Sequence, residues 1–406
     1  MFILEFKAVG KATQYQAIDE AIRTVRFIRN KSLRFWMDNK GVGQKGLYHY
    51  STILRQEFPF VADLNSSACQ ASVEPTWSAI SRFYDNCKKP SVKKKGYPKF
   101  KKNQRSVEYK TSGWKLSEDR KSITFTDKKG IGKLKLKGSR DLNYFQIDQI
   151  KRVRIVKRAD GYYLQFNIKE DIRAIKPKEY EPTKHCVGID VGLKYFYADS
   201  DGNIVDIPQH YRKAEKQLNK LNRSKSKKFR KGKPVSKNYL KAKNRYARKH
   251  LKVSRQREEF AKDKALRLIQ SSDLIAYEDL AVKNMVRNRH LAKSINDVAW
   301  STFRRWLEYF GYKYGKITVA VPPYNTSQDC SNCGQKVQKS LSVRTHVCLH
   351  CGFICDRDIN AAINILKKAL GTVGHTGTFV FKAINAWGED ASILIGSDTC
   401  QSKQSL

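Results

Sequence analysis

Four cysteines near the C-terminal end stand at a spacing that is typical of a metal site. Cys330 and Cys333 form one C-x-x-C pair, Cys348 and Cys351 form a second, and fourteen residues separate the two pairs. A glycine follows each pair and allows the backbone to turn tightly around an ion. Four thiolates at this spacing converge on one tetrahedral Zn²⁺. The sequence therefore predicts a structural zinc ribbon rather than four unrelated buried cysteines.

Three acidic residues flank segments that belong to a protein core. Asp190 ends an apolar run that starts near His185, and Glu278 ends a run that starts at Leu274. Asp358 precedes residues 360–366, whose small and apolar side chains favour a closely packed helix. Each acid taken alone could be a solvated strand end or a helix cap. Only their combination in one domain indicates a shared site.

Three clustered carboxylates repel one another unless cations neutralise them, so the cluster predicts hard divalent metal ions. Two Mg²⁺ ions roughly 4 Å apart can activate water and stabilise the leaving oxygen of a phosphodiester displacement. Asp356 competes with Asp358, because residues two apart share one side of an extended segment. The small-residue helix adjoins Asp358 and favours it, which leaves Asp356 to cap the turn or orient Arg357. Histidine is scarce, and no Ser-His-Asp or Cys-His nucleophile pattern competes.

The charge of the chain points to a polyanionic partner. Its 406 residues include 80 Lys and Arg against 38 Asp and Glu, which gives a formal net charge of +42. Such an excess repels itself in a compact fold, and nucleic acid is the partner that would neutralise it. A membrane is the alternative, but the sequence contains neither a spanning apolar run nor a signal peptide. The five cysteines outside the two pairs are scattered and form no disulfide framework.

Two basic segments are candidates for phosphate contact. Residues 88–102 combine lysines with Pro, Gly and aromatic residues, and residues 212–257 hold twenty Lys or Arg but one acid, Glu215. The second segment has helical spacing interrupted by Gly232 and Pro234, which predicts a helical hairpin with a dense cationic surface. Either segment could also be a solvated linker or surface.

The elements that must position these residues can be read from hydrophobic periodicity. A short strand at 2–8 precedes helices near 13–36, 49–57 and 66–87, and Asn65-Ser66-Ser67 is a helix start signal. Strands follow at 122–126, 133–136, 150–156 and 162–168, and partial alternation in 151–158 predicts one cationic sheet face. A proline-containing linker at 176–184 leads into an α/β domain that begins with three antiparallel strands.

The motifs together resemble the TnpB family, transposon-encoded (OrfB-type) RNA-guided DNA endonucleases related to type V CRISPR effectors. The resemblance is carried by Gly188-Ile189-Asp190-Val191-Gly192, by Tyr277-Glu278-Asp279-Leu280, by Ser327-Gln328 before the cysteine ribbon, and by the segment 356–365. It extends from the N-terminal helices through Gly96-Tyr97-Pro98-Lys99-Phe100 to about residue 370. One departure is Cys355, where the family usually has histidine.

The resemblance implies a multidomain α/β protein: an RNase H-like (RuvC) nuclease with an inserted zinc ribbon, a wedge β-barrel and a helical recognition lobe. The implied domains are residues 1–8 (first wedge strand), 9–90 (recognition lobe), 91–180 (wedge), 181–325 (nuclease with basic hairpin 210–257), 326–354 (zinc ribbon), 355–371 (last nuclease helix) and 372–406 (flexible tail). It implies that Asp190, Glu278 and Asp358 are the catalytic, Mg²⁺-binding residues, and that Cys330, Cys333, Cys348 and Cys351 hold Zn²⁺.

The implied partners are a guide RNA derived from the transposon end and a double-stranded target DNA, bound by a monomer. Base pairing would read the target, and the protein would read only a short flanking motif. The expected location is the cytoplasm of a prokaryote, on the nucleoid. Two alternatives are a nuclease-inactive guided regulator, which should lack a carboxylate that this chain retains, and a strand-transfer transposase, which should need a joining motif that the sequence does not contain.

Overall fold

The computed structural model describes residues 2–171, 182–340, 342–374, 379–384 and 390–395. The chain divides into two compact units, Met1–Ile172 and Arg173–Leu406. The predicted linker at 176–184 lies, up to residue 181, outside the described residues.

The first unit combines four helices with one sheet. The helices are α1 (Ala12–Asp38), α2 (Gln44–Glu57), α3 (Pro59–Ala62) and α4 (Ser66–Lys88). Helix α1 buries Ile18, Ile22 and Val25, which recur every three or four residues on one face. Helix α4 starts where the sequence signal places it, because the side chain of Asn65 accepts a hydrogen bond of 2.8 Å from the backbone nitrogen of Ser67.

The sheet of the first unit has seven antiparallel strands in the order β2-β6-β7-β1-β5-β4-β3. The strands are β1 (Phe2–Val9), β2 (Ser106–Lys110), β3 (Trp114–Leu116), β4 (Ser122–Phe125), β5 (Lys133–Lys137), β6 (Ile150–Arg158) and β7 (Gly161–Ile168). The first strand lies in the middle, between β7 and β5. In the described residues the pairings run from β2 to β3 without joining them, so the predicted barrel is an open sheet by its hydrogen bonds.

The basic residues of strand β6 are not buried, and acids from other segments pair with four of them. Arg152 pairs with Glu74 and with Glu108 at 2.9 Å, and Arg154 also pairs with Glu108. The remaining two pairs join Lys157 to Asp19 and Arg158 to Glu5. These ion pairs reduce the positive charge of this face within the unit.

The second unit is built on a five-stranded sheet in the order β10-β9-β8-β11-β12. Its strands are β8 (Cys186–Asp190), β9 (Tyr195–Asp199), β10 (Ile204–Asp206), β11 (Leu274–Glu278) and β12 (Ile317–Val321). Strands β8, β9 and β10 form an antiparallel meander, as predicted, and β11 runs parallel to both β8 and β12. The first residue of β8, Cys186, is disulfide-bonded, which the scattered cysteine pattern does not predict.

Helices cover both faces of this sheet. They are α5 (His210–Lys227), α6 (Lys237–Ser271), α7 (Val282–Met285), α8 (Ala292–Val298), α9 (Trp300–Tyr314) and α10 (Arg357–Gly374). On one face Val187, Ile189 and Tyr277 pack in a core with residues of α6 and α9, including Leu268 and Phe303. On the other face Leu274, Ala276 and Val321 pack with Ile365 and Ala369 of α10. The strand alternation thus separates two cores.

Two small sheets complete the described residues. Strands β13 (Thr345–Val347) and β14 (Ile354–Asp356) form a hairpin that places Cys355 opposite the buried His346. Strands β15 (Phe379–Ile384) and β16 (Asp390–Ile395) pair within the segment predicted as a flexible tail. The rest of that segment beyond α10 lies outside the described residues, so its flexibility stays a prediction. In the described part of the chain, no helix is both long and apolar enough to cross a membrane.

Candidate functional site

Two of the three predicted carboxylates lie side by side at one edge of the second sheet. Strands β8 and β11 are parallel, and their register pairs Ile189 with Tyr277. Asp190 and Glu278 are the next residues along each strand and are the last residues of β8 and β11. Because the carboxyl ends of neighbouring parallel strands meet at the same edge, the fold brings together two acids that are 88 positions apart in sequence.

The third carboxylate comes from the first turn of helix α10. Asp358 is only 8% exposed, and an ion pair of 3.5 Å links it to Arg344. The side chain of Asp356 accepts a hydrogen bond of 2.8 Å from the backbone nitrogen of Asp358, which is the contact of a helix N-cap. The structure therefore gives Asp356 the capping role that the sequence left as an alternative.

The electrostatics of the three carboxyl groups show that they share one environment. Burial raises the pKa of Asp190 well above its usual range, and the charges of Glu278 and Asp358 raise it further. Burial also raises the pKa of Glu278 and of Asp358, and the charge of Asp356 adds to the second increase. Raised carboxyl pKa values of this kind, caused by burial and by neighbouring acids, are common at functional sites.

The four predicted zinc ligands form a compact cluster. Cys330 and Cys351 have their sulfur atoms 3.7 Å apart, and those of Cys333 and Cys348 are 3.6 Å apart. Tetrahedral zinc with Zn–S bonds of about 2.3 Å places sulfur atoms roughly 3.8 Å apart, so the donor set fits Zn²⁺. Hydrogen bonds from the backbone N–H of Phe353 and from Asn332 lower the pKa of the Cys351 thiol, whereas the neighbouring cysteines raise the pKa of Cys333.

The two halves of the cysteine cluster repeat one backbone geometry. The backbone nitrogen of Gly334 donates to the oxygen of Cys330, and that of Gly352 donates to the oxygen of Cys348, each at 2.9 Å. Both glycines have positive φ angles, 77° and 73°, which other residue types rarely adopt. The glycine after each cysteine pair is therefore required by the turn, as the sequence predicts.

The carboxylates are spaced more widely than the cysteines. Within the described residues, only the four cysteines form a group of at least three His, Cys, Asp or Glu residues whose ligand atoms all lie within 4.8 Å of one another. The three carboxylates therefore do not converge on one point as a single-ion site would. Their oxygens remain the hard donors that Mg²⁺ prefers.

Two asparagines of α10 connect the cysteine cluster to the carboxylate edge, and sequence reasoning assigned them no role. Asn360 donates a hydrogen bond of 2.8 Å to the oxygen of Asp329 and accepts one of 2.9 Å from the nitrogen of Ser331. Asn364, one turn later, also donates to the oxygen of Asp329, at 2.7 Å. Their four-residue spacing places both on one helix face, which is the signal that could have identified them.

Glu278 also borders a cavity of about 420 Å³ in the second unit. The cavity is lined by apolar and basic side chains, among them Leu280, Trp300, Lys283 and Arg305. An apolar wall with a few charged groups is the usual lining of a ligand-binding cleft of this size. Glu278 is thus one of the residues at the border of this cleft.

The predicted basic hairpin is formed by α5 and α6. The two helices pack through Ala214, Leu218 and Val253. All but three of the twenty basic residues between positions 212 and 257 are exposed, and those three are half-buried. The one acid of this stretch, Glu215, pairs with Lys293. The hairpin surface is therefore a continuous source of positive charge.

Comparison with known proteins gives two family matches. Residues 167–289, which include Asp190 and Glu278, match the family OrfB_IS605, described as "Probable transposase". Residues 300–365, which include the cysteine cluster and Asp358, match the family described as "Cas12f1-like, TNB domain". Apart from residues 167–172, both matches fall in the unit that holds the candidate site.

Among the curated relatives, two cover most of the chain and a third covers less than half of it. A "Putative RNA-guided DNA endonuclease" of Streptomyces pristinaespiralis is 29% identical over 320 residues, which are 78% of this chain and 74% of the relative. "Putative RNA-guided DNA endonuclease InsQ" of Escherichia coli (strain K12) is 25% identical over 365 residues, which are 84% of this chain and 85% of the relative. "TnpB-like protein L79" of Acanthamoeba polyphaga mimivirus is 32% identical over 211 residues, which are 46% of this chain and 38% of the relative.

Solved structures with some likeness include a Cas12f1-sgRNA-target DNA complex and the mini-RNA-guided endonuclease CRISPR-Cas_phi3. The first has a TM-score of 0.33 and 16% identity, covering 90% of this chain and 99% of that one. The second has a TM-score of 0.37 and 15% identity, and the match covers 72% of this chain and 65% of that one.

Proposed function

Because the chain belongs to the TnpB family, we propose that it is an RNA-guided DNA endonuclease that cleaves phosphodiester bonds with divalent metal ions. The observation that carries the proposal is that Asp190 and Glu278 end two neighbouring parallel strands, and that the charges of Glu278 and Asp358 both raise the pKa of Asp190. Acids in such surroundings retain their negative charge only when cations neutralise them. The carboxylates are therefore the proposed ligands of Mg²⁺.

The sheet supports a RuvC-type, RNase H-like assignment. Its order is β10-β9-β8-β11-β12, in which β8, β9 and β10 are antiparallel and β11 runs parallel to β8 and β12. One acid ends β8, the first strand of this sheet in chain order, and another ends β11, the fourth. Magnesium ions held there would supply an activated water and stabilise the leaving oxygen of an in-line displacement. The carboxylates would act by holding those ions.

The remaining parts of the protein have supporting roles in this proposal. The cysteine cluster would hold a structural Zn²⁺ that fixes the start of α10 and hence Asp358. The basic hairpin would contact the phosphates of the guide RNA or of its duplex with DNA. A short motif next to the target would be read by the protein, whereas the target itself would be read by base pairing.

The proposal is tested with protein purified together with its RNA. We expect the RNA to be a discrete structured species, and DNA cleavage to require it together with Mg²⁺. Asp190→Ala, Glu278→Ala and Asp358→Ala should each abolish cleavage while guided DNA binding persists, because binding rests on base pairing and phosphate contacts. Equal cleavage by RNA-stripped protein would refute guidance, and normal cleavage by all three variants would refute the metal mechanism.

A further inference from the structure

We propose that Thr326 is a positioning residue for Glu278, and that helix α10 holds it in place through Asn364. This inference rests on the proposed function, since it concerns how one metal-binding carboxylate is oriented. Thr326 precedes the first cysteine of the cluster by four residues and lies 48 positions from Glu278 in sequence. Thr326 therefore lies between the cysteine cluster and the end of strand β11 that carries Glu278.

The contact itself is a hydrogen bond between a hydroxyl and a carboxylate. The Oγ1 atom of Thr326 donates to Oε1 of Glu278, and Thr326 is only 2% exposed. The bond occupies one oxygen of the carboxylate and restricts rotation of the Glu278 side chain. The other oxygen, Oε2, is then the one presented to a metal ion. Hydrogen bonds of this kind orient metal ligands in many sites, and their loss typically lowers metal affinity or activity about 10–100-fold.

Thr326 is itself held by helix α10. The Nδ2 atom of Asn364 donates a hydrogen bond of 2.9 Å to the backbone oxygen of Thr326, and the same atom donates to Asp329. Lys368, one turn further along α10, donates to the backbone oxygen of Tyr324. Two contacts from one helix thus fix the backbone on both sides of residue 325.

The backbone conformation of Asn325 fixes the direction of the chain just before Thr326. Asn325 has a φ angle of 58°, in the left-handed region that asparagine tolerates better than most residues other than glycine. The backbone oxygen of Asn325 accepts hydrogen bonds of 2.9 Å from the backbone nitrogens of Gln328 and Asp329. The turn therefore aims the hydroxyl of Thr326 at Glu278 and continues directly into the first cysteine pair.

The fold does not need this hydroxyl in order to place strand β11. The backbone of the strand is fixed by its pairing with β12, in which Glu278 lies opposite Val321. The backbone nitrogen of Asp279 also donates a hydrogen bond of 2.8 Å to the backbone oxygen of Val321. What the hydroxyl adds is the orientation of the Glu278 side chain. Helix α10 already carries Asp358, so the same helix would set the positions of two of the three carboxylates.

The test compares Thr326→Val, which keeps shape but removes the donor, with Thr326→Ser, which keeps the donor. Thr76→Val is the matched control, because Thr76 is also buried and donates one hydrogen bond, to the oxygen of Arg29 in the first unit. Each variant is purified with its RNA, and we measure single-turnover cleavage, its Mg²⁺ dependence, the Mg²⁺-induced rise in Tm, zinc content and DNA binding.

We expect Thr326→Val to cut about 10–100-fold more slowly, to need more Mg²⁺ and to show a smaller Mg²⁺-induced rise in Tm. Zinc content and DNA binding should be unchanged, and Thr326→Ser should recover most of the activity. Asn364→Ala should weaken the Mg²⁺ response in the same direction, and Thr76→Val should cleave like the wild type.

Wild-type cleavage and Mg²⁺ dependence in Thr326→Val would overturn the positioning role and leave the proposed function intact. Equal inactivity of the Val and Ser variants, with zinc loss and a lowered Tm, would overturn it too, because that result indicates a structural contact. Absence of guided cleavage in the wild type would instead be a failure of the proposed function itself.

Discussion

A Cβ atom placed on Gly188 would lie 2.1 Å from the carbonyl oxygen of Ala362 and 2.8 Å from the backbone nitrogen of Leu366. Strand β8 and helix α10 are therefore in backbone contact at this point, where Ala362 is fully buried. Asp190 lies two residues after Gly188, and Asp358 lies one helical turn before Ala362. The absence of a side chain at Gly188 thus sets the separation between the elements that carry these two acids.

Replacing Gly188 with alanine should destabilise the second unit. The new methyl group would meet backbone atoms that cannot rotate away, so we expect a loss of at least about 2–3 kcal/mol in the free energy of unfolding, together with loss of cleavage. Gly371→Ala on the same helix is the control, because nothing lies within 4 Å of its added Cβ. That variant should be neutral or gain up to about 1 kcal/mol. Denaturant unfolding measures both, and equal stability of the two variants would contradict the contact.

The sequence predicts the parts of the site that rest on local patterns. The cysteine spacing, its glycines and the apolar runs before Asp190 and Glu278 each need only a few neighbouring residues to be recognised. The first three strands of the second unit are also predicted as an antiparallel meander. These features are confirmed because secondary structure and knuckle geometry are determined locally.

Contacts between distant segments are what the sequence could not supply. The acidic partners of the basic residues on β6, among them Glu5, Asp19 and Glu74, come from elsewhere in the unit and are not predicted. The roles of Thr326 and Asn364 depend on a turn and a helix that meet only in the folded protein. The hydrophobic periodicity of a sequence does not indicate which distant side chains form ion pairs or hydrogen bonds.

Asp356 and Asp358 should respond differently to substitution. Asp356→Ala removes the N-cap of α10 and should cost about 1 kcal/mol of stability, and Asp356→Asn should retain the cap and most of that stability. Both Asp356 variants should cleave DNA, whereas Asp358→Ala should not. Guided cleavage assays and thermal unfolding give the two readouts. An inert Asp356→Asn beside an active Asp358→Ala would show that the metal-binding acid is Asp356.

The pH dependence of stability should expose the crowded carboxylates. Because the pKa of Asp190 is raised in the folded state, the metal-free folded protein binds more protons than the unfolded chain, and stability falls as pH rises above the ordinary carboxyl range near 4. Asp190→Asn removes this penalty. We expect its metal-free Tm at pH 8 to exceed that of the wild type by about 2–4 °C, equivalent to about 1 kcal/mol, and the difference to vanish near pH 4.

Added Mg²⁺ supplies the control for this experiment. It should raise the Tm of the wild type at pH 8 and raise that of Asp190→Asn less, because the variant has lost a charged ligand. A wild-type protein that is more stable than Asp190→Asn in chelator at pH 8 would contradict the proposed repulsion.

The basic hairpin should make RNA binding sensitive to salt. Lys220, Lys227, Lys237 and Lys241 are all exposed on α5 and α6. Replacing the four with glutamine should weaken RNA binding and lower the slope of log K against log salt by about 3, if each contacts one phosphate. The four Lys→Arg replacements keep the charge and should leave the slope unchanged. An unchanged slope in the glutamine variant would place the RNA on another surface.

Zinc should be held by four cysteines and not by the fifth cysteine beside them. Cys348 is buried within the cluster, whereas Cys355 is half-buried on β14 and lies outside the group of four. Cys348→Ser should lower the zinc content below one ion per chain, and Cys355→Ser should keep it, as measured by elemental analysis. Because Asn360 ties α10 to the residues on both sides of Cys330, loss of zinc should also loosen the start of the helix that carries Asp358. Cleavage by Cys348→Ser should therefore fall together with its Tm, and a wild-type protein without zinc would rule out the assignment.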